Sequence, residues 1–411
     1  MAGPVPISTA HAPGVFERTK RRFRLPEGVI YLDGNSLGPL PDGVAERLTQ
    51  TVEKEWGGQL IRAWNEADWI DLPAKIGDRI TKLIGAEPGS VVVADSTSIN
   101  LYKALAAALQ LQPERQVILS DSGNFPTDLH MAEGLIASLG AGHHLEVVAP
   151  EEVEGALDDR VAALMLTEVD YRTGRLHDMR ALTRAAHAVG ALAIWDLAHS
   201  AGALPVDLAG CRADFAVGCG YKYLNGGPGA PAFIYVRPDY AERIEPALSG
   251  WMGHEAPFAF GLHYHPASGS RRMRVGTPPI LSLAALDVAL DVWDDIDIET
   301  VRTASIALAN LLIREVERRC DGYGLTLVSP RDGDKRGSQV SFRFDEGYAA
   351  MQALIASGVI GDFRAPDLMR FGITPLYIGE AEIIAAAERL EAVLKGRLWD
   401  RPEFKTRAKV T

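Results

Sequence analysis

The sequence predicts an α/β protein, with a mostly parallel sheet flanked by helices and a smaller α+β domain after it. Three observations carry this. From about residue 90 the chain alternates short apolar runs with helical patterns, the signature of a wound α/β unit. The runs, such as Val91-Val92-Val93-Ala94, are continuous rather than alternating, as strands covered on both faces require. Beyond residue 278 the pattern changes to long helices and a half-buried strand.

Taken in order, residues 1–30 read as an arm and a short helix, and 42–84 as one or two helices with Trp56, Trp64 and Trp69 between them. Strands follow at 91–94, 117–119, 145–149, 161–166, 191–195, 214–217 and 232–236, with helices at 98–110, 127–139 and 178–189. Residues 280–296 and 300–319 have helical spacing. Val340, Phe342 and Phe344 alternate with Ser341 and Arg343, so that strand should bury one face. A helix near 347–357, short strands to 372 and a helix at 380–396 close the chain. With 411 residues, two domains are expected. The division reads as an N-terminal arm and helices (1–60), a large domain (61–280) and a small C-terminal domain (281–411).

A hydrophobic content of 47% and a charged content of 23% are globular values, and the net charge of −12 argues against nonspecific nucleic-acid binding. Three cysteines without a CxxC argue against a zinc site or a disulfide framework and fit a reducing cytoplasm; no metal is expected. Residues 1–15 lack the apolar segment of a secretory signal, and no apolar run is long enough to span a membrane.

The chemistry concentrates where strands end. Ala191-Leu192-Ala193-Ile194-Trp195 ends at Asp196, and Lys222 lies further on in the glycine-rich run Gly220-Tyr221-Lys222-Tyr223-Leu224-Asn225-Gly226-Gly227. An acid at a strand end and a lysine in a loop beyond it form the layout of a pyridoxal phosphate site. The lysine supplies the imine, and the acid keeps the pyridine nitrogen protonated. The plainer reading of a single such lysine is a solvated turn. Ser96, Thr97 and Ser98 stand where a helix should start, as an anion site or as ordinary caps. Phe125 in Gly123-Asn124-Phe125-Pro126-Thr127-Asp128 suits stacking on a pyridine ring, with Asp128 accepting from its substituents; a capped loop with a core Phe fits equally. His199 is either a cofactor partner or a structural histidine, and Cys219 reads as a small buried hydrophobe.

Five segments in order resemble the kynureninase family: Tyr31-Leu32-Asp33-Gly34-Asn35-Ser36-Leu37-Gly38-Pro39, Asn124-Phe125-Pro126-Thr127-Asp128, Asp196-Leu197-Ala198-His199-Ser200, Gly220-Tyr221-Lys222-Tyr223-Leu224-Asn225 and Arg274-Val275-Gly276-Thr277-Pro278-Pro279. The resemblance implies pyridoxal phosphate fold type I, with a seven-stranded, mostly parallel sheet in the large domain. It also implies hydrolysis of L-kynurenine to anthranilate and L-alanine, in tryptophan catabolism and on the way to NAD. By the same resemblance Lys222 is the Schiff-base lysine, Asp196 the partner of the pyridine nitrogen and Phe125 the stacking aromatic. Thr97, Ser98, Tyr221, Trp251 and Thr277 are phosphate ligands, and Asp128, Thr167 and His199 are further cofactor contacts. Arg370 holds the substrate carboxylate, a group that a planar guanidinium fork suits. Asn35, Trp64 and Gly276 join it as substrate residues, and Tyr221 is a candidate acid. Trp64, Gly276 and Thr277 match the bacterial form, which favours kynurenine over its 3-hydroxy analogue. Trp251 and Thr277 would come from a neighbouring subunit, which implies a homodimer. Asp170 departs from the pattern, where an amide is expected. The rival reading is another fold type I enzyme, a cysteine desulfurase or an aminotransferase.

Overall fold

The structure, a computed structural model, describes residues 14–140 and 142–408. The first part of the expected N-terminal arm, residues 1–13, lies outside the described residues. Strands β1 (Val91–Val93), β2 (Val117–Asp121), β3 (His144–Val148), β4 (Val161–Thr167), β5 (Leu192–Asp196), β6 (Phe215–Cys219) and β7 (Ala232–Val236) form a seven-stranded sheet in the order β1-β7-β6-β5-β4-β2-β3. Strands β2 to β6 pair in parallel, and β7 runs antiparallel to β6 and β1.

Side chains alternate across this sheet. Leu164 and Leu166 of β4 enter one core with Trp195 and Phe233, while Ala163 and Met165 enter another with Ile118 and Ile194. Both faces are apolar, so the strands read as unbroken apolar runs. Helix α1 (Thr97–Leu111) packs on helix α2 (Pro126–Leu139), and helix α3 (Met179–Ala188) lies against β5. The parallel strands all end at one edge, and their following loops hold residues 121–126, 167–170, 196–200 and 219–222 together. Ligands of open α/β sheets bind in such a crevice.

The C-terminal sheet is antiparallel throughout, with β8 (Thr326–Leu327), β9 (Gln339–Arg343), β10 (Asp362–Arg364) and β11 (Leu368–Gly372) in the order β8-β9-β11-β10. It shares one core with helices α5 (Ile298–Arg319), α6 (Gly347–Ala356) and α7 (Glu380–Lys395). Helix α4 (Ile280–Ala289) places Leu283 and Leu286 in the core of the large sheet. Phe23, Ile30 and Leu32 from the N-terminal segment pack in the C-terminal core, and Ile30 pairs with Val359. We propose that the N-terminal segment completes the small unit rather than forming a layer of its own.

Three local expectations change. Residues 42–84 are not one or two plain helices. Val44–Gln50 runs on into a wide π-helical stretch, Thr51–Gln59, that carries Gly57 and Gly58; Leu60 then turns at φ 55° before Ala63–Glu66 and Leu72–Thr81. The helix expected at 280–296 ends at Ala289 and tightens into a 3₁₀ turn, and Asp297 caps α5 by accepting from Thr300 N. Ser341 is buried rather than exposed, because its Oγ donates to the Arg172 carbonyl at 2.6 Å on a loop of the large unit.

The helix Leu72–Thr81 approaches β1 closely, and a Cβ at Gly77 would lie 2.3 Å from the Val91 carbonyl oxygen. Gly77→Ala gains about 1 kcal/mol of helix propensity but must push backbone from backbone, which costs about 1–3 kcal/mol. Urea unfolding should show a net loss of stability. A variant as stable as the parent would mean that this contact yields freely.

Candidate active site

Lys222 follows β6 in a tight loop. Asn225 N donates to the Lys222 carbonyl, and Asn225 itself sits at φ 57°. The half-buried Lys222 ammonium reaches His199 Nε2 at 3.0 Å. Burial, together with the charges of Lys222, Arg370 and Arg364, holds the His199 imidazole well below its ordinary pKa. It is therefore neutral and accepts from Lys222 through Nε2, which leaves its hydrogen on the buried Nδ1, with the Gln339 side chain within reach.

Asp196 ends β5 beside the same lysine. Its Oδ1 accepts from Ala198 N at 2.8 Å, and burial raises its pKa against the opposing pull of Lys222. Asp128, from the first turn of α2, lies within hydrogen-bond range of Asp196, and burial raises its pKa well above the ordinary value, with the Asp196 charge adding to the effect. Two carboxylates this close do not both ionise readily. Asp128 Oδ2 is buried with no donor.

Thr167, at the end of β4, is buried with its Oγ1 3.5 Å from the Asp196 carbonyl. Phe125 stands edge-on to Tyr171 at 5.1 Å and exposes part of its ring. Ser96 caps α1 by accepting from Ile99 N, so Thr97 and Ser98 occupy the first turn, where N–H groups lack helical partners. Asp95, at φ 51°, is held there by the buried Lys103, whose Nζ also donates to the Met273 carbonyl. Burial raises the pKa of the Tyr221 phenol, so it stays protonated.

The structure thus brings Asp128, Asp196, His199 and Lys222 into one cluster. Other expected residues occupy other neighbourhoods of this chain. Trp64 packs edge-on against Trp69, and Trp251 against Phe258. Gly276 and Thr277 line a small cleft with Ala94 and Asp95, next to the start of α1. Arg370, on β11 and 1% exposed, is not a free fork. Its Nε and Nη2 are held by Asp362, Nη2 also by Ser36, and Nη1 by the Tyr171 carbonyl. Asn35 is fully buried, and neither of its amide atoms has a partner.

Sequence reasoning missed Asp362 and Tyr171, because their roles depend on pairing across strands and between domains. Ser36 lies within the segment Tyr31–Pro39, where nothing local marks it as a partner of Arg370. The Asp170 departure is absorbed locally: its Oδ1 accepts from Arg172 N and Thr173 N at 2.8 Å, a task an amide oxygen also performs.

These residues fit pyridoxal phosphate. A buried acceptor without a donor at Asp128, a second carboxylate at Asp196 and a neutral imidazole at His199 suit the polar rim of a pyridinium ring. The α1 first turn suits a phosphate. The buried thiols do not suit a desulfurase nucleophile. Burial raises the pKa of both Cys219 and Cys320, the latter to about 11, and Cys320 closes α5.

Known proteins agree. Residues 301–390 match the family described as the kynureninase C-terminal domain. The chain is 51% identical over 397 residues to kynureninase from Pseudomonas fluorescens, covering 95% of each protein. It is 50% identical over 397 residues to kynureninase from Burkholderia pseudomallei strain 1106a, again covering 95% of each. Among solved structures it resembles a mutant of C-DES with glycine linked covalently to its PLP cofactor (TM-score 0.79, 18% identity, 90% of this chain and 98% of that one). It also resembles the cysteine desulfurase CsdA from Escherichia coli (TM-score 0.77, 19% identity, 92% and 98%). At these identities the structures establish the shared fold alone.

Glu168, behind the cluster beside Ser200, has its pKa pushed up to about 7 by burial. The folded protein therefore keeps a proton that the unfolded chain releases above its ordinary value of 4.5. This contribution is fully present below that value and is lost as pH rises through about 7. Glu168→Gln removes it. The stability of the parent relative to the variant should fall by on the order of 3 kcal/mol between pH 4.5 and pH 7.5 in urea titrations. Parallel curves would contradict this.

Proposed function

We propose how this chain, which belongs to the kynureninase family, uses its own residues for that family's reaction. It is a pyridoxal phosphate enzyme of fold type I, and it hydrolyses L-kynurenine to anthranilate and L-alanine. The observation that carries the residue assignment is the cluster of Lys222, His199, Asp196 and Asp128 at the carboxyl edge of the sheet.

When bound, the cofactor supplies an aldehyde carbon that takes an amine and a protonated ring that withdraws electrons from the substrate α-carbon. Lys222 would be the amine that carries it, and the same amine, when free, would move the proton at the α-carbon. Neutral His199 accepts from Lys222 Nζ and directs it. Asp196 holds the pyridine nitrogen in its protonated form, and Asp128 and Thr167 accept and donate at the rim. Phe125 would stack on the ring, and Thr97, Ser98 and Tyr221 would hold the phosphate. The phenol of Tyr221 keeps its proton at neutral pH and can deliver it to the carbon left when anthranilate departs. Arg370, with Asn35, holds the substrate carboxylate.

We further propose a homodimer in which Trp251 and Thr277 complete the partner's site, with Trp64 and Gly276 shaping the aryl pocket. Supporting this, Trp251, Phe258, Phe260 and Leu262 form an exposed apolar loop, with Leu262 97% exposed. A cytoplasmic setting belongs to the same proposal, supported by three free cysteines. Among the described residues no helix is long and apolar enough to cross a membrane.

Two measurements test this reading. Fluorescent anthranilate should appear when the purified protein meets L-kynurenine, and Lys222→Ala should abolish it while the circular dichroism stays native; persistent turnover would refute the lysine assignment. The specificity constant should be higher for L-kynurenine than for 3-hydroxykynurenine, because an indole at Trp64 crowds an added hydroxyl and offers it no acceptor. The reverse order would refute the pocket assignment.

A further inference from the structure

Arg370 is fixed by an acid that the family reaction does not call for. Asp362 lies opposite it in register, on β10. The carboxylate takes Arg370 Nε at 2.8 Å on Oδ1 and Nη2 on Oδ2. Ser36 Oγ donates to Asp362 Oδ2 at 2.8 Å and accepts from Arg370 Nη2 at 2.9 Å, so it braces both partners. Arg370 Nη1 donates to the Tyr171 carbonyl at 2.6 Å. Of the guanidinium's five hydrogens, these bonds leave one, on Nη1. Arg364 pairs with the same Asp362 oxygen at 2.8 Å, and Asp33 stands near all three, its pKa pushed up to about 7 by burial and by the Asp362 charge. Asn35 lies alongside. A Cβ at Gly372, two residues past Arg370 on β11, would meet Asn35 Oδ1 at 2.2 Å.

We propose that Asp362 is a positioning residue that sets which edge of Arg370 meets the substrate carboxylate. By occupying the Nε–Nη2 edge it turns Nη1 toward the carboxylate, and the unpartnered amide of Asn35 supplies the second donor. The carboxylate is then held by one arginine hydrogen and one amide hydrogen, not by a symmetric fork. This rests on the reading of Arg370 as the carboxylate ligand.

The test compares two ligands of the holoenzyme. One is L-kynurenine, read as KM and kcat. The other is the same molecule without its carboxylate, the decarboxylated amine, read as an inhibition constant. In Asp362→Asn, Arg370 loses its anchor, and KM should rise about tenfold or more, the worth of a charge-assisted hydrogen bond. The inhibition constant of the carboxylate-free amine should stay within about twofold. Asp362→Glu should recover part of the loss. A parallel rise in both constants would make Asp362 merely structural and overturn the proposal. A fall in KM would show that Asp362 acts only by its charge, and would also overturn it. If Asp362→Asn gives no folded holoenzyme, Ser36→Ala is read in the same way; no change in the ratio of the two constants contradicts the bracing. Arg370→Lys separates the two readings. If it leaves the ratio unchanged, the assignment of Arg370 itself fails. If it shifts the ratio while Asp362→Asn does not, the positioning role of Asp362 fails.

Discussion

The charge of Lys222 beside the buried Asp196 is the interaction on which the site depends. A carboxylate taken this far from water costs several kcal/mol unless a cation or donors compensate. Ala198 N supplies one donor, and Lys222 supplies the opposing charge. Asp128, its own pKa raised well above the ordinary value, stays protonated beside Asp196 and adds a second donor that favours the Asp196 charge. We propose that a protonated pyridine ring answers the Asp196 charge, which ties the cluster to the electronic need of the cofactor rather than to fold stability. The parallel sheet makes this possible, because it delivers β4, β5 and β6 to one edge and leaves their loops to carry polar groups that the strands could not bury.

The second constraint is the seam between the two units. Loop 170–174 is gripped from the small unit at several points. Gln339 Nε2 donates to the Tyr171 carbonyl, Ser341 to Arg172, Ser329 to Thr173, and Gly337 N to the Gly174 carbonyl. The same loop gives Arg370 its Tyr171 carbonyl and sets Tyr171 against Phe125. The proposed substrate carboxylate ligand and the proposed stacking ring are therefore positioned by one short segment. Displacement of the small unit should reach both ends of the site together.

Much of this was legible in the sequence where the signal is local. The apolar runs of β4 and β5 marked strands because both faces are covered. Asp196 and Lys222 stood out because a strand end and a glycine-rich loop constrain the chain nearby. Segment 42–84 was not legible, since a π-helical stretch and the turn at Leu60 leave no periodic trace. Nor was the burial of Ser341, which depends on a partner far away in sequence. Asp362 was invisible for the same reason. Nothing in Gly361-Asp362-Phe363 shows that Arg370 will stand opposite it.

The central claim is that Lys222, facing Asp196 and His199, carries the cofactor. Borohydride reduction of the yellow holoenzyme fixes the pyridoxyl group to its lysine, and peptide mass mapping then locates it. The mass increment should fall on the peptide containing Gly220-Tyr221-Lys222, at Lys222 alone. A label on Lys103, which is buried near this edge, or on any other lysine would contradict the claim.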